Sequence, residues 1–174
     1  ATNYDDALKL AQLLLDQTEV QPVGLGARDS LRLEAGLCLH GNDIHPNTTP
    51  VAAGLTWAIP ASRRKGGSKS GGFPGSEPIL LELENGSSLT RVGIQPEGRA
   101  PVRAHCEIII PTGESIGEVS SGGYGPTVGR PIAMGYVKST YSHLGTELRA
   151  IVRDKPLSVK ICHLPFVQHN YKRH

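Results

Sequence analysis

Six short runs rich in β-branched and apolar residues follow one another from Leu89 onward, and no other feature constrains the fold of this chain as strongly. They read TRVGIQPEG, RAHCEIIIPTGE, SIGEVSSGG, IAMGYVKS, TELRAIVRDK and LSVKICHLPF. Glycine, proline and serine turns separate them at intervals of about ten residues. That rhythm predicts a small antiparallel sandwich or barrel. The residues before it carry a different pattern, so a boundary is expected near residue 87, with a mainly helical segment over 1–86 and an all-β domain over 87–174. The expected fold class is α+β.

The helical signals are local. Tyr4, Ala7, Leu8, Ala11, Leu14 and Leu15 recur at helical spacing, Thr2 is placed to cap, and Asp5 and Asp6 fall in the first turn, where the helix dipole favours negative charge. An apolar face so close to the start needs a surface to lie on, and the abrupt beginning suggests a chain whose partner lies upstream. GLGARDSLRLEAGLCLHGND, from Gly24 to Asp43, is ambiguous by pattern: alternating leucines read as a strand, yet Arg28 and Arg32 share one face of a helix. Leu, Arg, Glu and Ala favour helix, and β-branched residues are absent from Arg28 to His40, so a helix is expected there. TTPVAAGLTWAIP reads as a short apolar element ending at Pro60. ASRRKGGSKSGGFPG reads as a flexible, solvated loop that buries almost nothing, its basic run Arg63, Arg64, Lys65 included. SEPILLELENG reads as a helix capped by Ser76 and stopped by Gly86.

Composition narrows the function classes. A formal charge of +2 with 5% aromatics is too weak for a nucleic-acid surface, and no apolar run approaches the roughly 20 residues of a membrane span. Three well-separated cysteines, Cys38, Cys106 and Cys162, argue against a disulfide framework, and the seven histidines show no metal-ligand spacing. The glycines of GSKSGG and SSGGYGP lack the context of a phosphate cradle and read as turn residues. His105 and Cys106 are sequence neighbours that a strand would point to opposite faces, which disfavours a nucleophile pair. Charges at Arg28, Arg32 and Glu34 among leucines therefore mean either a paired structural cluster or the floor of a polar site.

Six blocks in order, GLGARDSLRLEAGLCLHGNDI, TTPVAAGLTW, RVGI, VSSGGYGP, IAMGYV and LPFVQHNY, resemble the C-terminal half of the glycine cleavage system T-protein (aminomethyltransferase) family. The RRK loop and the PFVxxNY ending resemble its mitochondrial branch. The resemblance implies a distorted jelly-roll C-terminal domain, tetrahydrofolate as cofactor, the lipoylated H protein as partner and the mitochondrial matrix as location. It implies transfer of a one-carbon unit from the aminomethyl-lipoyl arm to tetrahydrofolate with release of ammonia. The family's key aspartate and a ligand-holding glutamate match no position here, so no catalytic residue is expected within this chain, which should be inactive alone. Arg28 matches the family arginine that contacts folate or substrate, and Tyr171 matches a ligand-reaching residue near the C-terminus. Arg91 matches a structural anchor, Arg32 and Glu34 are expected as a paired set buried against the sheet, and an Arg28–Asp29 or Arg28–Glu34 pair is the structural alternative for Arg28. His40 stands where the family more often has Tyr. Other readings within the same fold are a non-catalytic folate-binding relative and a folate-dependent demethylase of methylated glycines.

Overall fold

The computed structural model describes residues 2–170, so Tyr171 lies outside the described residues. Helix α1 spans Tyr4–Leu15, as its periodicity predicts, but Asn3 caps it in place of Thr2. The Asn3 carboxamide accepts from the backbone N–H of Asp6 at 2.8 Å, a reach that Thr2, one residue earlier, lacks. No residue of α1 is buried, and Leu8, Leu13 and Leu14 stand exposed.

Helix α2 spans Leu25–Glu34, which settles the strand-or-helix ambiguity for the first half of the expected helix and shortens the rest. Gly36 adopts a φ of 66°, its N–H donates to the Leu33 carbonyl at 3.0 Å, and the Leu37 N–H donates to the Arg32 carbonyl at 2.9 Å. This is a Schellman stop, and it is stronger than the helical propensity of the leucines beyond it. A side chain at Gly36 would also crowd the Cα of Pro165 at 3.3 Å. Helix α3 spans Ser76–Asn85; Gly75, in the left-handed region, takes the cap position expected of Ser76, and Gly86 ends the helix as anticipated.

Between α2 and α3 the chain runs through turns and two short 3-10 segments, Thr56–Ala58 and Ala61–Arg63. The basic run is not merely solvated. Arg64 donates to the carbonyls of Ile59 and Thr56 at 3.0 and 2.7 Å, Arg63 donates to that of Gly71 at 3.0 Å, and Lys65 pairs with Glu84 at 2.8 Å. Guanidinium forks thus satisfy carbonyls that a glycine-rich segment cannot pair through regular structure.

The strands are β1 Leu89–Pro96, β2 Glu107–Ile109, β3 Ser115–Gly125, β4 Arg130–Lys138, β5 Glu147–Val152 and β6 Lys155–Cys162. They close into an antiparallel barrel in the order β1-β4-β3-β2-β5-β6, with β6 returning to β1. Its interior is filled by inward residues of every strand, among them Ile94, Ile108, Val119, Val137, Leu148 and Val159. The run IAMGYV is buried on both faces: Ala133 and Val137 belong to the interior, while Ile132 and Met134 pack with Leu33 of α2 on the outside. One helix therefore sits on the barrel wall, and it carries the charged residues singled out in the sequence.

Two expectations fail in the barrel. The second run is strand only over three residues, because His105 takes a φ of 68° and turns the chain. The glycines of SSGGYGP lie within β3, not in a turn. A side chain at Gly122 would overlap the carbonyl oxygen of Val102, and one at Gly125 would press on Ile132 and Glu34, so these glycines let a loop and a helix approach the strand closely.

Candidate functional site

Asp43 organises the region. It follows α2 in the turn of HGNDI, is fully buried, and accepts four hydrogen bonds: from Arg32 Nη1 at 2.6 Å, Leu39 N at 2.8 Å, Ser120 Oγ at 2.5 Å and Ser121 Oγ at 2.9 Å. Ser120 and Ser121 are consecutive residues of β3, and in a regular strand they would face opposite sides. A register shift between Val119 and Ser121 bends the strand so that both hydroxyls reach one carboxylate. The Asp43 carbonyl accepts from Tyr136 Oη at 2.7 Å. Burial drives the Tyr136 phenol well above its usual range, so it stays protonated and donates.

Glu34 is buried and Arg32 mostly so against the barrel, but they do not pair with each other. Arg32 bridges Asp43 and Asp29, the latter at 2.6 Å. Glu34 Oε1 accepts from the backbone N–H groups of Thr127 and Val128 at 2.6 and 3.0 Å, closing the β3–β4 turn, and its carbonyl accepts from Phe166 and Val167. Helical spacing puts Arg32 and Glu34 on different sides of α2, which is why each finds its own partner. Arg91 fits the anchor reading: it donates to the carbonyls of Ala53 and Gly36 at 2.8 and 2.9 Å, joining the segment after α2 to β1.

Arg28 has neither alternative pairing. Asp29 is taken by Arg32 and Glu34 by the hairpin, and the exposed Arg28 guanidinium has no hydrogen-bond partner among the described residues. It lines an open hollow of about 430 Å³ with Leu25, Leu39, Asn42, Arg103 and Ser121. Asp43 and Arg103 carry no expectation from sequence. For Asp43 the only signal was its place in the turn GND a few residues after α2; for Arg103 there was none, because its position depends on how a loop meets β3. His40 is exposed, and it forms an isolated bridge with Ile44.

A second cleft of about 400 Å³ lies between α3 and the barrel, lined by Glu82, His45, His105, Glu118 and Tyr136 among others. Glu82 accepts from Thr49 and Ser87, and His105 Nδ1 lies 2.8 Å from Glu118 Oε1.

Cys38 and Cys162 are ill suited to nucleophilic work. Burial raises the Cys38 thiol, and it pushes that of Cys162 up to about 11. A thiol whose pKa rises on folding stabilises the native state below its unfolded value, about 9, and that contribution is lost as pH climbs through 9 to 11. Iodoacetamide at pH 8 should accordingly modify Cys162 in the native protein at least tenfold more slowly than in urea, where the thiol regains its ordinary acidity, as peptide mapping by mass spectrometry would read. Equal rates would place the thiol in an open, solvated setting.

Comparison with known proteins converges on this architecture. Residues 90–168 match the model of the glycine cleavage T-protein C-terminal barrel domain, and residues 2–63 match that of the GCVT N-terminal domain. The mitochondrial aminomethyltransferase of Solanum tuberosum is 47% identical over 169 residues, and that of Canis lupus familiaris 46% over 165. These alignments cover 96% and 95% of this chain, which spans only about 40% of the length of either relative. The crystal structure of the glycine cleavage system aminomethyltransferase T from Bartonella henselae superposes with a TM-score of 0.87 at 46% identity, covering 97% of this chain and 46% of that one. With its barrel, its wall helix and both domain families matched in order, the chain belongs to the glycine cleavage T-protein family.

Proposed function

We propose that this chain supplies the C-terminal part of a tetrahydrofolate-dependent aminomethyltransferase, with residues 1–86 completing the folate-binding region and residues 87–174 forming the barrel domain. In that reaction the aminomethyl carbon leaves the sulfur of the lipoyl arm of the H protein, ammonia departs from the same carbon, and two nitrogens of tetrahydrofolate take it as the 5,10-methylene derivative. The relatives' names support a mitochondrial location, and the matrix is the proposed compartment. The observation that carries the proposal is the Arg28 guanidinium, exposed and without a partner among the described residues, on a helix whose neighbouring charges are engaged locally.

The hollow suits one side of a folate. Its volume falls within the range of small-molecule sites, Leu25 and Leu39 offer apolar surface to a flat ring system, and Arg28 offers a planar fork to carboxylates or ring acceptors. The role of this chain is to bind and orient.

Titration of folate against the full-length protein and its Arg28→Lys variant tests the assignment. Lysine keeps the charge and loses the fork, so affinity should fall by about 1.5–3 kcal/mol, the range for hydrogen bonds to charged groups. The melting temperature of the ligand-free protein should hold, because an exposed, unpaired side chain supports little of the fold. Unchanged affinity with a lowered melting point would make Arg28 a structural residue.

A further inference from the structure

Three arginines line the hollow beside α2, and their surroundings differ. Arg32 is matched by the buried Asp43 and by Asp29. Arg28 and Arg103 meet no carboxylate among the described residues, and the sole hydrogen bond of the Arg103 side chain is a long one, 3.4 Å, from Nη1 to the Gly122 carbonyl. Two guanidiniums with open donors thus face one hollow. The neighbouring Asp29 is already held by Arg32, so an incoming anion is the group that relieves their repulsion and fills their donors.

The backbone of Arg103 is held in place. Val102 is fully buried in the barrel interior, its carbonyl lies against Gly122, the His105 N–H donates to Val119 at 2.8 Å, and the Cys106 N–H donates to Arg103 at 3.3 Å. A side chain raised from so fixed a base reaches the hollow with little backbone entropy left to lose, as a binding residue should.

We propose that Arg103 is a second anchor of the folate site, gripping with Arg28 the carboxylates of the ligand's glutamate tail. The assignment rests on the folate reading above. The carboxylates are the only fixed anionic groups of a folate, one glutamyl unit carries two of them, and each matches a guanidinium fork. The apolar rim of Leu25 and Leu39 then flanks the uncharged body of the ligand.

The test compares ligands with and without the tail. Full-length wild type, Arg103→Gln and Arg103→Lys are titrated calorimetrically with 5-formyltetrahydrofolate and with its tail-less counterpart, 5-formyltetrahydropteroate, and thermal melts of the ligand-free proteins confirm folding. Wild type should prefer the tailed ligand. Arg103→Gln should weaken the tailed ligand about tenfold or more, leave the tail-less one within about twofold, and thereby remove the preference, with Arg103→Lys intermediate. Equal weakening of both ligands, or no weakening of either, overturns the assignment. A wild type that binds both equally overturns the tail assignment alone, whereas a wild type that binds neither overturns the folate reading with it.

Discussion

Replacing Asp43 by alanine should cost about 3–5 kcal/mol of folding stability, the range for breaking a buried ion pair by removing one partner. Nothing else among the described residues gathers so much polar satisfaction at one group. The Arg32 side chain, 10% exposed, would lose its buried counter-charge, the Leu39 N–H would lose its acceptor, and two serine hydroxyls of β3 would turn to whatever remained. For a chain of 174 residues such a loss lowers the melting temperature by about 10 °C. Asp43→Asn should recover much of the packing but not the charge: its carboxamide oxygen can keep the place of Oδ2, facing Arg32, Leu39 and Ser121, while its NH2 donates to the Ser120 hydroxyl, so what is lost is the negative charge beside Arg32. The double variant Arg32→Met with Asp43→Ala removes both partners of the buried pair and should be more stable than Asp43→Ala alone, in which Arg32 keeps only the exposed Asp29 as counter-charge. Thermal melts of wild type and the three variants decide it; a drop of only a degree or two in Asp43→Ala would mean that α2 is held to the barrel mainly by Leu33 and its apolar neighbours.

Gly122→Ala should be nearly as damaging through geometry alone. Its Cβ would occupy the space of the Val102 carbonyl oxygen, a backbone atom, and no side-chain rotation moves either one away. Either β3 or the loop carrying Arg103 must shift, for which about 2–3 kcal/mol is expected, the upper part of the range for overpacking. The shift would also displace Arg103, so affinity for a tailed folate should fall along with stability. Gly26→Ala is the control. It lies in α2, where an added methyl group would meet nothing within 4 Å, and should be neutral or stabilising by up to about 1 kcal/mol. Equal melting temperatures for the two variants would show that the loop yields to β3 without cost.

Local features of the chain carried over well where the deciding interactions are local. Helices α1 and α3 follow from spacing and from Gly86 as a stop, and the six strands follow from the alternation of β-rich runs with turn residues. The error in α2 has a local cause too: the leucines after Glu34 favour helix, but Gly36 in the left-handed region closes a Schellman motif that ends it. Leu164 and Pro165, packed over Gly36, leave little room for a side chain there, a constraint that arises far along the sequence.

By itself the sequence determined the three helices, an antiparallel sandwich or barrel and the family, because periodicity, turn chemistry and ordered motifs are written in adjacent residues. Which charge meets which was decided only in three dimensions. Arg32 and Glu34, two residues apart and expected as a pair, part company: one finds Asp43 and the other the N–H groups of Thr127 and Val128 on the β3–β4 turn. Asp43 reaches both Ser120 and Ser121 because β3 slips its register there, and Arg103 joins Arg28 because Gly122 admits the Val102 carbonyl. Apart from Arg32 with Asp43, these contacts join elements tens of residues apart, and a buried charge takes whichever partner the closed barrel brings within hydrogen-bond reach, which no spacing along the chain specifies.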